Sequence, residues 1–474
     1  MSTDVELCFA SAHELAAAIA AKRVSPVEVL QAVLDRLRAV NPKINAFAAL
    51  DEDAALAAAR RAEEAVLKGD PLGPLHGVPV SIKDLIPVAG LPTRCGSRVT
   101  PPEPAAEDGS TAARIRSAGA IIIGKTTTPE FGCKSLTDSP LTGVTRNPWN
   151  LDHTSGGSSG GAGASLAAGI GPLAIGSDGG GSIRIPASCC GIFGLNPTFG
   201  RVPHYPAPNA WAQLGKTGPM ARTVRDAALL FNTVAGHDHR DPISSPAPLE
   251  DYTAGLSDDL RGLRLAWSQD LGYVRLHPEV RHLTSAAAKV FAELGADVVE
   301  ASPGFEPPTP YFMSLFTVGY AGRLAHHLPE RRDEMDPYLV SLVERGLRTS
   351  AVDYFRALEA STQLHLIMVS FFKKFDLLLT PVLAHPPLRA DHSMLDGITV
   401  DGVHFAEMRE GYNAFTFPFN LSANPGASVP CGFTSDGLPV GLQIVGPYFS
   451  EARILQAAAA YETARPWARQ RPAL

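Results

Sequence analysis

The stretch GPLAIGSDGGGSIRIPASCCGIFGL (171–195) places three consecutive glycines between two short apolar runs. The runs GPLAIGS (171–177) and GIFGL (191–195) predict buried strands, and IRIPASCC predicts the start of a helix between them. A tight turn needs only one or two glycines, whereas three allow several backbone N–H groups to turn toward one point. The order strand, glycine turn, helix N-terminus therefore predicts an α/β fold with an anion- or oxyanion-binding loop.

Flanking segments continue this alternation of strands and helices. VPVSI (78–82) and AIIIG (120–124) predict further buried strands, and residues 111–119 and 160–169 predict helices rich in small residues. Such alternation is typical of a parallel sheet with helices packed against it. We therefore expect a single large α/β domain whose central twisted sheet is mixed, mostly parallel, and covered by helices on both faces.

The remaining segments extend this core. The first 70 residues predict helices, one of which begins with the capping box Ser25-Pro26-Val27-Glu28 and one of which stops at Gly69. Two apolar runs in 427–445, joined by a turn that ends in glycine, predict a hairpin. We expect one domain over 1–474, in four regions: helical 1–70, the core 75–235, a variable substrate-pocket region 240–375, and 376–474, which returns to the sheet.

Composition limits the classes of partner. The chain has 474 residues and a net charge of −7, without a long Lys/Arg block, which disfavours nucleic-acid binding. None of its six cysteines forms a C-x-x-C pair, as is usual for reduced thiols. No apolar run approaches the roughly 18 residues of a membrane span. We expect a cytoplasmic protein without membrane or nucleic-acid partners, and a homodimer is compatible with the sequence.

Three short motifs match well-known patterns without their structural context. GGSSGG (156–161) contains the G-x-S-x-G of a nucleophile elbow, but the polar, proline-broken NPWNLDHTS before it lacks the required strand. GAIIIGKT (119–126) matches a P-loop, but its isoleucines favour a buried strand. His237-Asp238-His239 lacks a third nearby metal ligand and favours a solvated loop. We therefore expect no metal site.

Three segments taken together resemble the amidase signature family. They are GVPVSIKD (77–84), GGSSGG, and SDGGGSIRIPASCCGIFGLNPT (177–198), in this order, with Ser158 and Ser182 24 residues apart. The resemblance runs from about 75 to 235, returns at 375–465, and is closest in pattern to stand-alone bacterial amidases. It implies the family's α/β fold and amide hydrolysis without a cofactor.

The resemblance also implies site residues. The nucleophile falls on Ser182, the bridging serine on Ser158 after a cis peptide bond, and the base on Lys83. The implied oxyanion donors are the backbone N–H groups of Gly179, Gly180, Gly181 and Ser182. Asp178, Arg184 and Ser159 match supporting residues, and Gly132 and Cys133 are expected to line the acyl pocket.

The residues themselves fit this chemistry. A serine hydroxyl needs a base, and lysine serves only if its pKa falls well below the ordinary value of ~10.4. Lys83 lies at the end of an apolar strand, where loss of solvent lowers the pKa of an amine. The chain departs from the usual residues of the family it resembles at three positions. Gly179 stands where the family commonly has threonine, Asn196 where it has lysine, and Ile185 where it has glutamine. These departures lie outside the triad and concern loop rigidity and pocket shape.

Three functions follow as hypotheses. The first is hydrolysis of a small carboxamide or acylamide, including aryl amides and carbamates. The second is the glutaminase component of an aminoacyl-tRNA amidotransferase, which uses the same triad to release ammonia for a partner protein. The third, a non-catalytic scaffold, fits poorly with an intact triad. The aromatic-rich 305–375 region favours an apolar substrate pocket.

Overall fold

The computed structural model describes residues 3–207, 209 and 214–474. The strands are, in chain order, β1 (Phe47–Leu50), β2 (Pro79–Lys83), β3 (Ile121–Thr126), β4 (Asp138–Ser139), β5 (Gly143–Val144), β6 (Arg146–Asn147), β7 (Asn150–Thr154), β8 (Leu173–Asp178), β9 (Phe193–Asn196), β10 (Lys216–Ala221), β11 (Arg264–Trp267), β12 (Asp297–Glu300), β13 (Leu377–Pro381), β14 (Ile398–Val400), β15 (Val403–Phe405), β16 (Gly426–Phe433) and β17 (Pro439–Val445).

The α-helices are α1 (Thr3–Phe9), α2 (Ala12–Ala20), α3 (Pro26–Ile44), α4 (Glu52–Lys68), α5 (Ser110–Ser117), α6 (Gly160–Ala167), α7 (Arg184–Cys190), α8 (Val224–Val234), α9 (Pro278–Glu293), α10 (Thr309–Leu324), α11 (Leu328–Arg331), α12 (Pro337–Arg348), α13 (Ala351–Phe371), α14 (Met408–Gly411), α15 (Phe417–Leu421) and α16 (Glu451–Ala464). Short 3₁₀ turns occur at Glu130–Gly132, Ala325–His327, Arg332–Glu334 and Met394–Asp396. No helix in the described part of the chain has the length and apolar character needed to cross a bilayer.

Eleven strands form one mixed sheet in the order β1-β3-β2-β8-β10-β9-β16-β17-β13-β11-β12. Its parallel pairs lie in two groups, β3-β2-β8 and β13-β11-β12. The strands between these groups are antiparallel to their neighbours, as is β1 at the edge. The α/β fold and the mixed sheet are therefore confirmed. The antiparallel share is larger than the sequence predicted, because β10 and the β16–β17 hairpin enter the sheet without crossover helices.

Both faces of the sheet are buried, as predicted. In β3, Ile122 packs into a cluster with α5, α8 and α16, whereas Ile121 and Ile123 pack on the opposite side with α3, α4 and α6. In β13, Leu377 and Leu379 share the first cluster, and Leu378 packs with α10, α12 and α13. Because successive side chains of a strand point to opposite faces, this alternation requires helices on both sides.

Several local predictions are confirmed. Ser25 caps α3 in a capping box with Glu28, and α4 ends at Gly69 in the left-handed conformation. The hairpin is formed by β16 and β17. The strand β1 was not predicted, because its four residues lie between two helices. The segment before GGSSGG contains the short strand β7, which pairs with β6, forms an isolated antiparallel bridge from His153 to Arg389, and stops before Ser155.

The topology brings two chain segments together along the edge of the sheet that is formed by the carboxyl ends of β2 and β8. β2 and β8 are parallel neighbours, with Ile82 beside Ile175. Lys83 ends β2, and Asp178 ends β8. Crevices at the carboxyl ends of parallel strands are common ligand sites in α/β folds. The glycine-rich loops before α6 and α7 meet at this edge.

Candidate active site

Lys83 lies at the centre of the polar contacts at this edge. Its side chain is fully buried, and its Nζ lies 2.7 Å from Oγ of Ser158 and 2.9 Å from Oγ of Ser159. Nζ also donates to the carbonyl oxygen of Ser177 at 3.3 Å. The strand β2 therefore delivers an amine into a pocket of neutral oxygen atoms.

Burial lowers the pKa of Lys83 to about 7, and the Asp178 carboxylate only partly opposes this effect. The direction follows from the cost of keeping a charged ammonium away from water. No carboxylate forms a salt bridge with Lys83 among the described residues, so nothing close by restores its ordinary pKa. A substantial fraction of Lys83 is therefore a neutral amine near pH 7.

The serine pair occupies the loop that precedes α6. The Gly157–Ser158 peptide bond is cis, as the family resemblance implies, and Ser158 is 2% exposed. Glycine is needed at 157 because a Cβ there would lie 2.6 Å from the carbonyl oxygen of Leu136. Ser159 accepts from the N–H of Ser177 at 3.2 Å and donates to the carbonyl oxygen of the same residue at 3.2 Å.

The third serine lies in the turn between β8 and α7. Ser182 is half-buried and lines the same cavity as Ser158. Its carbonyl oxygen accepts from the N–H of Ser159 at 3.1 Å, which ties the two serine-containing loops together. The structure thus brings Lys83, Ser158, Ser159 and Ser182 to one place, although they come from three separate parts of the sequence.

A buried ion pair holds the glycine turn. Nε and Nη2 of Arg184 donate to the two oxygens of Asp178 at 3.0 and 2.9 Å, and both side chains are fully buried. Burial alone would raise the pKa of Asp178, but the Arg184 guanidinium and the surrounding donors hold that pKa well below its usual range. Asp178 therefore remains a carboxylate and anchors the turn.

The N–H groups of the turn divide into two sets. The N–H of Gly181 donates to Oδ1 of Asp178 at 2.6 Å, so it is not directed to the cavity. This differs from the sequence-based expectation that included Gly181 among the oxyanion donors. The carbonyl oxygen of Asp178 accepts from Asn420 at 3.0 Å, and in a trans peptide the following N–H, of Gly179, points the opposite way. The remaining candidate donors are Gly179, Gly180 and Ser182.

Supporting residues from the C-terminal part of the chain were not found from the sequence. Thr416 donates to the carbonyl oxygen of Gly180 at 2.8 Å, and Asn413 reaches the same atom at 3.4 Å. Gln443 on β17 accepts from Arg184 at 2.7 Å. The only sequence signal was the placement of Asn and Thr within the apolar stretch NAFTFPFNL (413–421).

A cavity of about 970 Å³ opens onto Ser158 and Ser182. Gly132 and Cys133 line it, as expected, and its apolar walls include Leu315 and Phe316 of α10. Gly132 has φ +73°, and a Cβ built on it would lie 3.2 Å from Oγ of Ser158. Cys133 is buried, which raises the pKa of its thiol well above the usual value.

The other motif matches have structural explanations. Ile121–Thr126, within the P-loop match, is the fully buried strand β3. Asp238 forms a salt bridge with Arg240, and His237 lies 3.0 Å from the carbonyl oxygen of Ser244. Within the described ranges, no group of three or more His, Cys, Asp or Glu residues is arranged to hold a metal ion.

Comparison with known proteins assigns this chain to a family. The family model described as Amidase matches residues 28–455. The chain belongs to the amidase family. It is 40% identical to an acylamidase of Rhodococcus erythropolis over 99% of this chain and 98% of the relative. It is also 38% identical to a Glutamyl-tRNA(Gln) amidotransferase subunit of Acidothermus cellulolyticus, over 96% and 94% of the two chains.

Solved structures of this family have the same fold. A bacterial aryl acylamidase of the amidase signature family superposes with a TM-score of 0.91 at 32% identity, over 97% of each chain. A 6-aminohexanoate cyclic dimer hydrolase in complex with its substrate gives 0.89 at 31% identity, over 98% of this chain and 99% of the other. The predicted family, the fold and the assignment to amide-bond hydrolases are therefore confirmed.

The close approach of Gly132 to Ser158 gives a prediction for this amidase. Gly132→Ala is expected to lower kcat/KM for amide hydrolysis at least tenfold, because its Cβ would press on Leu85 and Ser158 and because φ +73° disfavours alanine. Gly69→Ala is the matched control: it has φ +77° and open space around the added Cβ. If both variants lose activity equally, backbone strain alone explains the effect, and the contact with Ser158 has no catalytic importance.

Proposed function

We propose that the protein hydrolyses a small acyl amide through an acyl-enzyme on Ser182, with Ser158 as the proton relay and Lys83 as the base. The observation that carries this proposal is the 2.7 Å contact between a fully buried lysine and a serine beside the cavity. Three serines and one amine whose pKa is about 7 can perform acyl transfer without another titrating group.

The contacts around Lys83 support one direction of proton transfer. A neutral amine has two N–H donors and one lone pair. The carbonyl oxygen of Ser177 can only accept, and Ser159 uses its own proton on that carbonyl, so both groups accept from Lys83. The lone pair of Lys83 then remains for the hydroxyl proton of Ser158. Oγ of Ser158 is in turn free to accept the proton of Ser182.

The proposed reaction proceeds in two halves. Oγ of Ser182 attacks the amide carbonyl carbon as its proton passes to Ser158 and the proton of Ser158 passes to Lys83. The tetrahedral oxyanion is stabilised by N–H groups of the glycine turn, which the Asp178–Arg184 pair and Thr416 hold in place. The C–N bond breaks as a proton returns along the same path to the leaving amine. Water then attacks the acyl-enzyme by the same relay.

Cavity size and relatives support an acyl amide as the substrate. The cavity is at the upper end of the ~300–1,000 Å³ range that is usual for small-molecule sites. Its aromatic wall on α10 suits an aryl or alkyl group, as the sequence predicted for this region. The acylamidase and aryl acylamidase relatives point to the same class of substrate.

The glutaminase of an aminoacyl-tRNA amidotransferase is the alternative. Several relatives are Glutamyl-tRNA(Gln) amidotransferase subunits, and two of them match this chain at 38% and 36% identity over 96% and 99% of its length. A free glutamine carries an α-ammonium group, yet no Asp or Glu lines the cavity in the described part of the chain. This absence of a carboxylate partner favours the acyl amide. Hydrolysis of anilides but not of glutamine by the purified chain alone would exclude the alternative.

The nucleophile can be tested directly. Ser182→Ala should lower kcat for anilides, aliphatic amides or carbamates by about 10⁴-fold or more, and should abolish covalent labelling by a fluorophosphonate. Ser165→Ala is the matched control, since Ser165 is buried in α6 and donates to the carbonyl oxygen of Ala162, away from the cavity. Labelling that persists in Ser182→Ala would refute the assignment.

The assignment of Lys83 as the base predicts how kcat/KM depends on pH. The protonated ammonium of Lys83 has no lone pair, so kcat/KM should fall as the pH drops through about 7 and level off above it. Lys216 is a second buried lysine whose pKa burial lowers to about 7, but its Nζ donates to the carbonyl oxygen of Asn424. The fall of kcat/KM on the acidic side of the pH profile should therefore occur at the same pH in Lys216→Met. If kcat/KM instead fell near the ordinary pKa of a lysine, this result would contradict the assignment of Lys83 as the base.

Four further expectations remain predictions. They are a single amidase domain over 1–474, a cytoplasmic location, the lack of a nucleic-acid partner, and a homodimer as a compatible assembly. The first is supported by the family match over 28–455, the location and the lack of a nucleic-acid partner rest on composition, and the homodimer is only compatible with the sequence.

A further inference from the structure

The charged residues that line the amidase cavity are all basic. Lys134, Arg323 and Arg409 border it, and in the described part of the chain no Asp or Glu does. This is unexpected in a chain whose net charge is −7. A pocket of one charge sign attracts ligands of the opposite sign.

The three cations differ in how their charge is already used. Lys134 is buried and forms salt bridges with both Asp138 and Asp336, so its charge is neutralised within the protein. Arg323 is exposed at the rim and lies 5.3 Å from the ring centroid of Tyr320. Arg409 alone combines deep burial with an unneutralised charge.

Arg409 is 3% exposed, and no described carboxylate lies within salt-bridge distance of its guanidinium. The nearest acidic residue along the chain, Glu407, accepts from the backbone N–H of Arg409 and forms its salt bridge with Arg345 at 3.4 Å. Of the guanidinium donors, Nη2 donates to the carbonyl oxygen of Cys133 at 3.2 Å, whereas Nε is buried without any partner. A buried guanidinium with unused donors is costly unless a ligand pairs with it.

Two ring contacts fix the plane of this guanidinium at the wall of the cavity that also contains Ser158 and Ser182. Its central carbon lies 4.3 Å from the ring centroid of Phe316 and 5.2 Å from that of Phe312. Stacking on rings leaves the N–H edge of an arginine free for a planar anion. Phe312 in turn packs against Gly180 of the glycine turn, and Cys133 adjoins Gly132, which approaches Ser158.

We propose that Arg409 binds a carboxylate on the substrate, so that the preferred substrate is an amide that also carries a carboxylate beyond an apolar or aryl spacer. The inference rests on the proposed function and names the substrate class of that site. The spacer lies along the aromatic wall of α10, and the carboxylate pairs with the unused N–H donors of Arg409. An ammonium group on the substrate is disfavoured, because no described acidic residue borders the cavity to receive it.

Two matched probe pairs test the proposal on both sides of the amide bond. On the acyl side, the 4-nitroanilide of succinic acid is compared with that of 4-methylpentanoic acid, which has the same shape without the charge. On the amine side, N-butanoyl-4-aminobenzoate is compared with N-butanoyl-4-aminobenzamide. The wild type should favour the carboxylate member of at least one pair at least tenfold in kcat/KM, which corresponds to about 1.4 kcal/mol.

Three variants assign this preference to Arg409. Arg409→Met should abolish it, so that the loss for the carboxylate probe exceeds the loss for its neutral partner at least tenfold. Arg409→Lys should retain part of the preference, because the charge remains while the planar fork is lost. Arg348→Met should leave it intact, because this exposed arginine in α12 is removed from the cavity. Equal rates within both pairs in the wild type, or an intact preference in Arg409→Met, would overturn the proposal.

A binding measurement keeps the test independent of turnover and of the folding of Arg409→Met. In Ser182→Ala, calorimetry should give at least tenfold tighter binding of the favoured carboxylate probe than of its neutral partner, and equal affinities would overturn the inference. If the wild type hydrolyses both members of each pair alike, the inference fails and amide hydrolysis stands. If it hydrolyses none of them and a fluorophosphonate leaves Ser182 unlabelled, the proposed function fails, and the binding result alone decides the role of Arg409.

Discussion

The loss of solvent around Lys83 is the constraint on which the rest of the site depends. A lysine in water holds its proton to a pH of ~10.4 and cannot act as a base near neutrality. In this protein the side chain is fully buried, and burial lowers its pKa to about 7. The same burial requires that every polar neighbour be neutral and correctly oriented, which Ser158, Ser159 and the carbonyl of Ser177 satisfy.

The sheet supplies the conditions for this burial. Because β2 and β8 are parallel neighbours, Lys83 and the glycine turn end at the same edge, and helices on both faces exclude water. Asp178 is the carboxylate that opposes the lowering of the Lys83 pKa, and Arg184 neutralises it within the interior. Breaking a buried pair by removing one partner typically costs about 3–5 kcal/mol, so the pair also makes the turn rigid. The proposed catalysis and the rigidity of the turn thus depend on the same few buried contacts.

The sequence predicted the features that are encoded locally. Each of these features is encoded by a few consecutive residues: the strands before Lys83 and Ser182, the glycine turn, and the capping box at Ser25. The spacing of Ser158 and Ser182 then linked the sequence to a family. Thr416, Asn420 and Gln443 could not be found in this way. They act on residues more than 200 positions earlier, and only the pairing of β16 and β17 with the sheet brings them there. Gly181 was misjudged for a different reason: its N–H donates to the side chain of Asp178 in the same turn, and the sequence does not show the direction of that N–H.

The ionisation of Lys83 is the most direct test of this account. Nζ-labelled lysine in Ser182→Ala can be titrated by NMR, with Lys83→Met and Lys216→Met assigning the two buried amines. The account predicts that the Lys83 resonance titrates at about 7 and stays there when Lys216 is replaced. A Lys83 amine that remains protonated up to about pH 10 would contradict the account, because a charged lysine cannot accept the proton of Ser158.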